Sequence, residues 1–278
     1  MPKRSSSVVG REFGNGVRAA VERTGLTQRR LAELLGWQEA KISDLLAGKG
    51  GADELEVATL LAYCRTPLDE RERLLALFRE SGNVFLQIPE DGLPDQARTL
   101  INQEKEADEI IDWSMVLVPG LLQIREYIEA VTAKARTVPP EKIQATVAAR
   151  VTRAEILEYD RTFTFYMHEQ AVWLPVGGEE VWREQLAHLL RMSVRKYISI
   201  RIVPRSIGMH AGAAGDFRLM KFPKYPSVVY IESVKCGLFF DDKGTVEVYE
   251  NILKDLAAVA LDEEQSRAVI NSILEGLQ

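Results

Sequence analysis

Apolar residues recur every three or four positions through the first eighty residues of the chain. Between Gly10 and Thr24, Phe13, Val17, Ala20 and Val21 share one side of a helix that Gly25 ends. Thr27 has the hydroxyl to cap a second helix, with Leu31, Ala32, Leu34 and Leu35 turned inward and Gln28, Arg29, Arg30 and Glu33 outward. Gly36 supplies the backbone freedom of a three- or four-residue turn, and small Ala32 lets the next helix approach closely. Trp37, Ile42, Leu45 and Leu46 then mark the buried side of a third helix that stops at Gly48. Its other side carries Gln38, Glu39, Lys41, Ser43 and Asp44. Helical patterns near Asp53 to Cys64 and Leu68 to Ser81 bring the predicted count to five.

The pattern breaks at "GNVFLQIPEDGLPDQ", Gly82 to Gln96, whose prolines, glycines and acids read as a linker. Beyond it, Ala97, Leu100, Ile101, Ala107, Ile110 and Ile111 predict a helix from Gln96 to Trp113, with the charged "QEKEADE" in its middle exposed. A short buried strand is expected at Met115 to Val118, broken by Pro119-Gly120 and followed by a helix. Pro140 to Tyr159 predicts another long amphipathic helix, along which Arg150 and Arg153 neutralise Glu155 and Glu158. The period then changes. "TFTFYMHE", "YISIRIVP", "FRLMKF", "SVVYIES" and "GLFFDD" are rich in β-branched and aromatic residues. A helix at Glu179 to Arg191 separates the first two, and helices at Val246 to Ala258 and Glu263 to Leu277 finish the chain. The pattern predicts a mainly α domain over residues 1–81, a linker over 82–96, and an α+β domain with a mixed or antiparallel sheet over 97–278.

Charge sharpens this division. The 278 residues carry a net charge of −6, but the first fifty hold nine basic and five acidic residues, a local +4 that leaves −10 for the rest. A basic end on an acidic body suits a protein that touches nucleic acid with one domain only. No apolar run approaches the roughly 20 residues of a membrane span, and "MPKRSSSVVG" lacks the apolar core of a signal peptide. It reads as a mobile basic arm of a cytoplasmic protein. Cys64 and Cys236 are read as buried free thiols, since neither sits in a CxxC pair. His168, His188 and His210 lack metal-ligand spacing, so neither metal nor cofactor is expected.

The small Ala32, the turn Gly36, and Ile42 and Leu45 after it together resemble the helix-turn-helix of the phage-repressor and xenobiotic-response-element family over about Val9 to Ser81. The resemblance implies a five-helix repressor-like domain whose third helix enters the major groove of double-stranded DNA. By position, Gln38, Glu39, Lys41 and Ser43 would meet or approach base edges, Gln38 suiting adenine and Lys41 guanine. Thr27, Gln28 and Arg29 at the start of the second helix, with Lys49, would meet phosphates. Asp44 and Glu39 depart from the commoner family pattern and would repel phosphates unless paired. A domain of such modest charge implies a homodimer on a two-fold or direct-repeat operator.

A second resemblance covers roughly Leu93 to Leu277. "PGLLQ", "VGGEEVWREQLAHLL", "ISIRIVP", "GDFRLMKF" and "VVYIE", in this order, are similar to the WhiJ-like C-terminal domain found behind helix-turn-helix units in actinobacterial regulators. It implies a sensory or partner-binding module whose effector is a small molecule or a small protein. Trp113, Gln123, Arg150, Glu169, His210 and Glu232 are the candidates for an effector pocket, a tryptophan for stacking and an arginine opposite carboxylates for orientation. His168 and Glu169 stand adjacent at a strand end and, without a turn, point to opposite sides. No GxSxG, HExxH or GxxxxGK[ST] occurs, so no enzymatic activity is expected. The alternative class is an antitoxin-like module in which the C-terminal domain captures a small protein.

Overall fold

The structure, a computed structural model, describes residues 7–80, 85–89, 94–135, 138–158, 161–233 and 236–277, without the side chains of 80, 85–89 and 94–98. Two compact units divide the chain: Met1–Leu86 together with Phe239–Asp242, and Gln87–Leu238 together with Lys243–Gln278. Of the expected basic arm, residues 1–6 lie outside the described residues, and Val8 to Gly10 instead form the first turn of a helix. Within the expected linker, residues 82–84 and 90–93 lie outside the described residues, while a strand, β1 (Phe85–Pro89), and the start of a helix at Pro94 fall inside it.

Among the described residues the first unit holds five helices: α1 (Val8–Arg23), α2 (Gln28–Leu35), α3 (Glu39–Leu46), α4 (Glu54–Tyr63) and α5 (Leu68–Glu80). Their starts follow from local chemistry. Ser7 Oγ accepts the Gly10 amide at 3.0 Å, Thr27 Oγ1 accepts that of Arg30 at 3.2 Å, and Asp53 and Glu56 form a reciprocal capping box. Phe13, Val17, Leu31, Ile42, Leu45, Leu60, Leu61 and Leu74 are buried as a common core, each such side chain worth roughly 1.5–3 kcal/mol of transfer free energy. Three inward assignments need correction: Leu34 is exposed, and Leu35 and Trp37 are half-buried. An eight-residue helix turns only about two faces to the core, and Leu31 and Ala32 already fill it.

The second unit follows the chain through α6 (Pro94–Glu106), β2 (Glu109–Ser114), α7 (Arg125–Ala135), α8 (Ile143–Ala154), β3 (Thr162–His168), α9 (Gln170–Trp173), α10 (Glu179–Ser193), β4 (Ile198–Val203), β5 (Phe217–Lys221), β6 (Val228–Glu232), β7 (Cys236–Phe240), α11 (Lys243–Val259) and α12 (Glu263–Glu275). The sheet order is β1-β7-β6-β5-β2-β3-β4. Strands β2, β3 and β4 are parallel, whereas β5 runs antiparallel to β2 and β6 antiparallel to β5. The predicted α+β domain with a mixed sheet is therefore present.

The main departure is at β2. Glu109–Ser114 is a central strand, not the end of a helix, and no strand occupies Met115 to Val118. Ile110, Ile111 and Trp113 satisfy both a helical and a buried-strand pattern. The strand wins because five of its six residues are buried between neighbours on either edge, and because the one charge among them, Asp112, is paired opposite Arg218 of β5. A second correction follows from the same place. Glu104, expected on an exposed helix face, is fully buried between Arg153 and Arg218. Arg153 pairs with Glu104 and Arg150 lies 3.8 Å from Glu232, in place of the expected pairing with Glu155 and Glu158 of their own stretch. The Pro140 to Tyr159 helix is also split, into a 3-10 turn at Pro140–Lys142, α8, and a second 3-10 turn at Glu155–Glu158. Cys64 is buried, which raises its thiol pKa, while Cys236 is only half-buried.

Candidate nucleic-acid interface

Three residues, Gly36, Trp37 and Gln38, join α2 to α3. Gly36 adopts φ +66°, and the Trp37 amide donates to Ala32 O at 2.9 Å, which closes α2 and swings α3 across it. Ala32 is buried at this crossing. On the far side of α3, Gln38, Glu39 and Ser43 are exposed, Lys41 and Asp44 half-buried. Gln38 is the N-cap residue but makes no side-chain cap bond, so its amide is not committed to the helix end. The Arg18 guanidinium donates to Leu46 O at 3.0 Å, placing a positive charge on the carbonyl end of α3.

At the start of α2, Thr27 is exposed, and its hydroxyl oxygen accepts an amide but keeps its own proton to give. Gln28 is half-buried and Arg29 exposed. Arg29 and Arg30 share Glu33 at 3.3 and 3.1 Å, exposed pairs that a phosphate can displace at little cost. Lys49 is exposed just beyond α3. The predicted phosphate and base residues therefore occupy one end of α2, the polar side of α3 and the turn after it.

Two contributors escaped the sequence reading. Glu56 of α4 accepts a hydrogen bond from Lys41 Nζ, whose ammonium also lies 4.8 Å from the Trp37 ring centroid. Asp53 and Glu56 are legible as a capping box, but the box does not announce its second bond. The other is the approach of α1 to the end of α3: a Cβ on Gly48 would stand 2.0 Å from Gly10 O, and one on Gly14 would stand 2.7 Å from Leu46 O.

The six effector-pocket candidates fall in three places. Trp113, near the carboxyl end of β2, meets His210, and Glu169 directly follows β3. The fully buried Trp113 indole donates to Gly212 O at 2.9 Å, and the His210 ring meets it edge-on at 5.2 Å. His168 stacks on His210 at 5.8 Å, and burial lowers the His168 pKa, helped by His210. Glu169 accepts the Trp173 indole N–H at 3.1 Å and the Arg205 amide at 2.9 Å. Arg150 and Glu232 form their own pair. Gln123 is buried apart from both, donating to Val118 O at 2.7 Å. Among the described residues, no three His, Cys, Asp or Glu side chains form a metal-ligating group, and no helix is long and apolar enough to cross a membrane.

No curated protein matches the chain. A solved structure of TrmBL2, an archaeal chromatin protein described as showing a novel mode of DNA binding, is 10% identical over 88% of this chain and 92% of that one. Its TM-score of 0.33 is too low for the likeness to bear on this chain. Residues 12–74 match the model of a helix-turn-helix domain, in agreement with the geometry of α2 and α3. Residues 97–272, more than half of the chain, match the model of a domain of unknown function, and by that match the protein belongs to the DUF5753 family.

Proposed function

We propose that this protein is a cytoplasmic, sequence-specific DNA-binding transcriptional regulator that works as a homodimer and has no catalytic activity. The observation that carries the reading is the α2-turn-α3 unit, in which the buried side of α3 is apolar and the opposite side holds Gln38, Glu39 and Ser43 exposed. A major groove is wide enough to admit this helix, and amide and hydroxyl groups suit its donor and acceptor pattern. The helix-turn-helix match over residues 12–74 supports the same reading. We place the fold of the first unit in the xenobiotic-response-element type and the second in the WhiJ-like type of actinobacterial regulators, on the "PGLLQ", "VGG" and "VVYIE" segments.

In this reading the DUF5753 domain pairs two chains and receives the signal, from a small molecule or a small partner protein. An effector acts by binding one spacing of the two recognition helices better than another; without that difference it shifts nothing. The test is selection of bound duplexes from random DNA by the full-length protein at low ionic strength. Enrichment of a repeated or two-fold motif is expected. If no duplex is retained, the reading fails.

A further inference from the structure

Lys41 is the one lysine or arginine within α3, and on position alone it belongs among the base-reading residues. Its environment says otherwise. The ammonium bonds the Glu56 carboxylate from α4 and lies over the Trp37 ring from the turn, so the charge is held from two sides by two other segments. Only 24% of the Lys41 side chain and 32% of that of Glu56 remain exposed. Glu56 is itself fixed. Its Oε2 accepts the Asp53 amide at 3.0 Å while its own amide donates to Asp53 Oδ1 at 2.8 Å. The bond from Lys41, with that of the Asp53 amide behind it, keeps the Glu56 carboxyl below its ordinary pKa of 4.5. The carboxylate is thus present in its ionised form at neutral pH, and the capping box aims it at α3.

The consequence is electrostatic. With Lys41 neutralised, the side of α3 that faces outward carries Glu39 and Asp44 without a compensating cation of its own. Phosphates are then attracted to the rim, at the start of α2 and at Lys49, rather than to the recognition helix. Nonspecific affinity for DNA comes almost wholly from cations placed against phosphates, and each one adds a counterion to those released on binding. A lysine withheld from that count lowers affinity for every sequence alike. Binding must then come from base-edge contacts, which only the right operator supplies.

We infer that Glu56 sets the DNA affinity of the recognition helix: by clamping Lys41 against Trp37 it keeps a cation of that helix away from phosphates and so lowers electrostatic affinity for every duplex, leaving base-edge contacts to carry operator binding. The inference rests on the DNA-binding reading above. It reassigns Lys41 from guanine contact to a restrained charge.

Glu56→Gln tests it, because glutamine at this position still closes the capping box and leaves the fold intact, while no longer holding the ammonium as an ion pair. Fluorescence-anisotropy titrations of the full-length protein on its selected operator and on a scrambled duplex, at several salt concentrations, give the readout. For Glu56→Gln, scrambled-DNA affinity at 0.1 M salt should rise roughly fivefold to tenfold and the slope of log affinity on log salt should steepen by about 0.9, the signature of one added phosphate contact. Affinity for the operator should rise by a similar factor, so the ratio between the two duplexes stays about the same. Adding Lys41→Gln should abolish the gain, whereas Lys41→Gln alone should leave scrambled-DNA affinity within about twofold. Unchanged affinity and slope in Glu56→Gln, with the wild type binding its operator, would overturn the clamp. A wild type that retains no duplex at all would instead overturn the DNA-binding reading beneath it.

Discussion

Asp241 Oδ2 accepts the amide proton of Val8 at 2.6 Å, so the first helix of the N-terminal unit is capped by a carboxylate 233 positions away. Both residues are in the same compact unit, and Val8 is buried. Burial raises the Asp241 pKa, against the pull of the Val8 amide and Arg11. Asp241→Ala leaves a buried amide without its acceptor and is expected to cost about 1–3 kcal/mol. Asp241→Asn keeps an acceptor and should cost far less. Hydrogen exchange of the α1 amides in the full chain separates the two.

The same shift fixes the sign of a pH effect. Because the folded state holds the Asp241 proton more tightly than the unfolded chain, this group's contribution to stability is fully present below the ordinary aspartate value of 3.8 and is lost as pH rises from there through the raised folded value. Asp241→Asn has no such proton to lose. Urea unfolding across that window should therefore show a flatter decline with pH for the variant than for the wild type, and equal slopes would contradict the assignment.

A neutral group of four charges lies in the second unit. Glu104 meets Arg153 at 2.7 Å and also Arg218, and Arg218 in turn holds Asp112, its Nε at 3.0 Å. Burial opposes the Arg218 charge, but the Asp112 and Glu104 carboxylates outweigh it and raise its pKa. Removing one member strands its partners away from water. Arg218→Met should lower stability by about 3–5 kcal/mol, and adding Asp112→Leu should recover part of the loss, because two apolar groups strand less charge than one. The urea midpoint of the double variant relative to Arg218→Met is the deciding measurement.

These long-range pairs also explain where sequence reading stops. The helix cap at Thr27, the turn glycine Gly36 and strands β3 to β7 are visible because each depends on neighbours within a few positions. β2 was hidden because Asp112 looks like a surface residue until Arg218, 106 positions on, is seen opposite it. Glu104 was hidden for the same reason. Among the residues proposed to face DNA, exposure of Gln38, Glu39 and Ser43 follows from local pattern alone. The restraint on Lys41 depends on Glu56 of another helix, which no periodicity encodes.

Close packing of α1 on the end of α3 makes a further prediction. Gly36 and Gly48 both adopt φ +66°, yet a Cβ on Gly36 meets nothing within 4 Å while one on Gly48 strikes the Gly10 carbonyl at 2.0 Å. Gly36→Ala should cost only the left-handed strain, about 1–2 kcal/mol. Gly48→Ala adds a clash with backbone that no rotamer relieves, and should cost about 1–3 kcal/mol more. Thermal unfolding of the two variants side by side gives the difference. Equal losses would mean that α1 does not press on α3 at this point.

The last prediction separates residues that read bases from those that hold phosphates. Gln38 is exposed at the start of α3, with its amide uncommitted, and such a group can bond adenine at two atoms. Gln38→Ala should weaken operator binding by about 1–3 kcal/mol and relax preference at one base pair, leaving scrambled DNA unaffected. Arg29, 79% exposed at its side chain and only loosely tied to Glu33, is a phosphate contact in the proposed reading. Arg29→Ala should weaken operator and scrambled duplex alike and reduce the salt slope by about one. Gel-shift titrations of both variants on the two duplexes decide between the roles. Equal losses on both duplexes for Gln38→Ala would move that residue to the phosphate-binding set and leave base reading to Ser43 and Glu39.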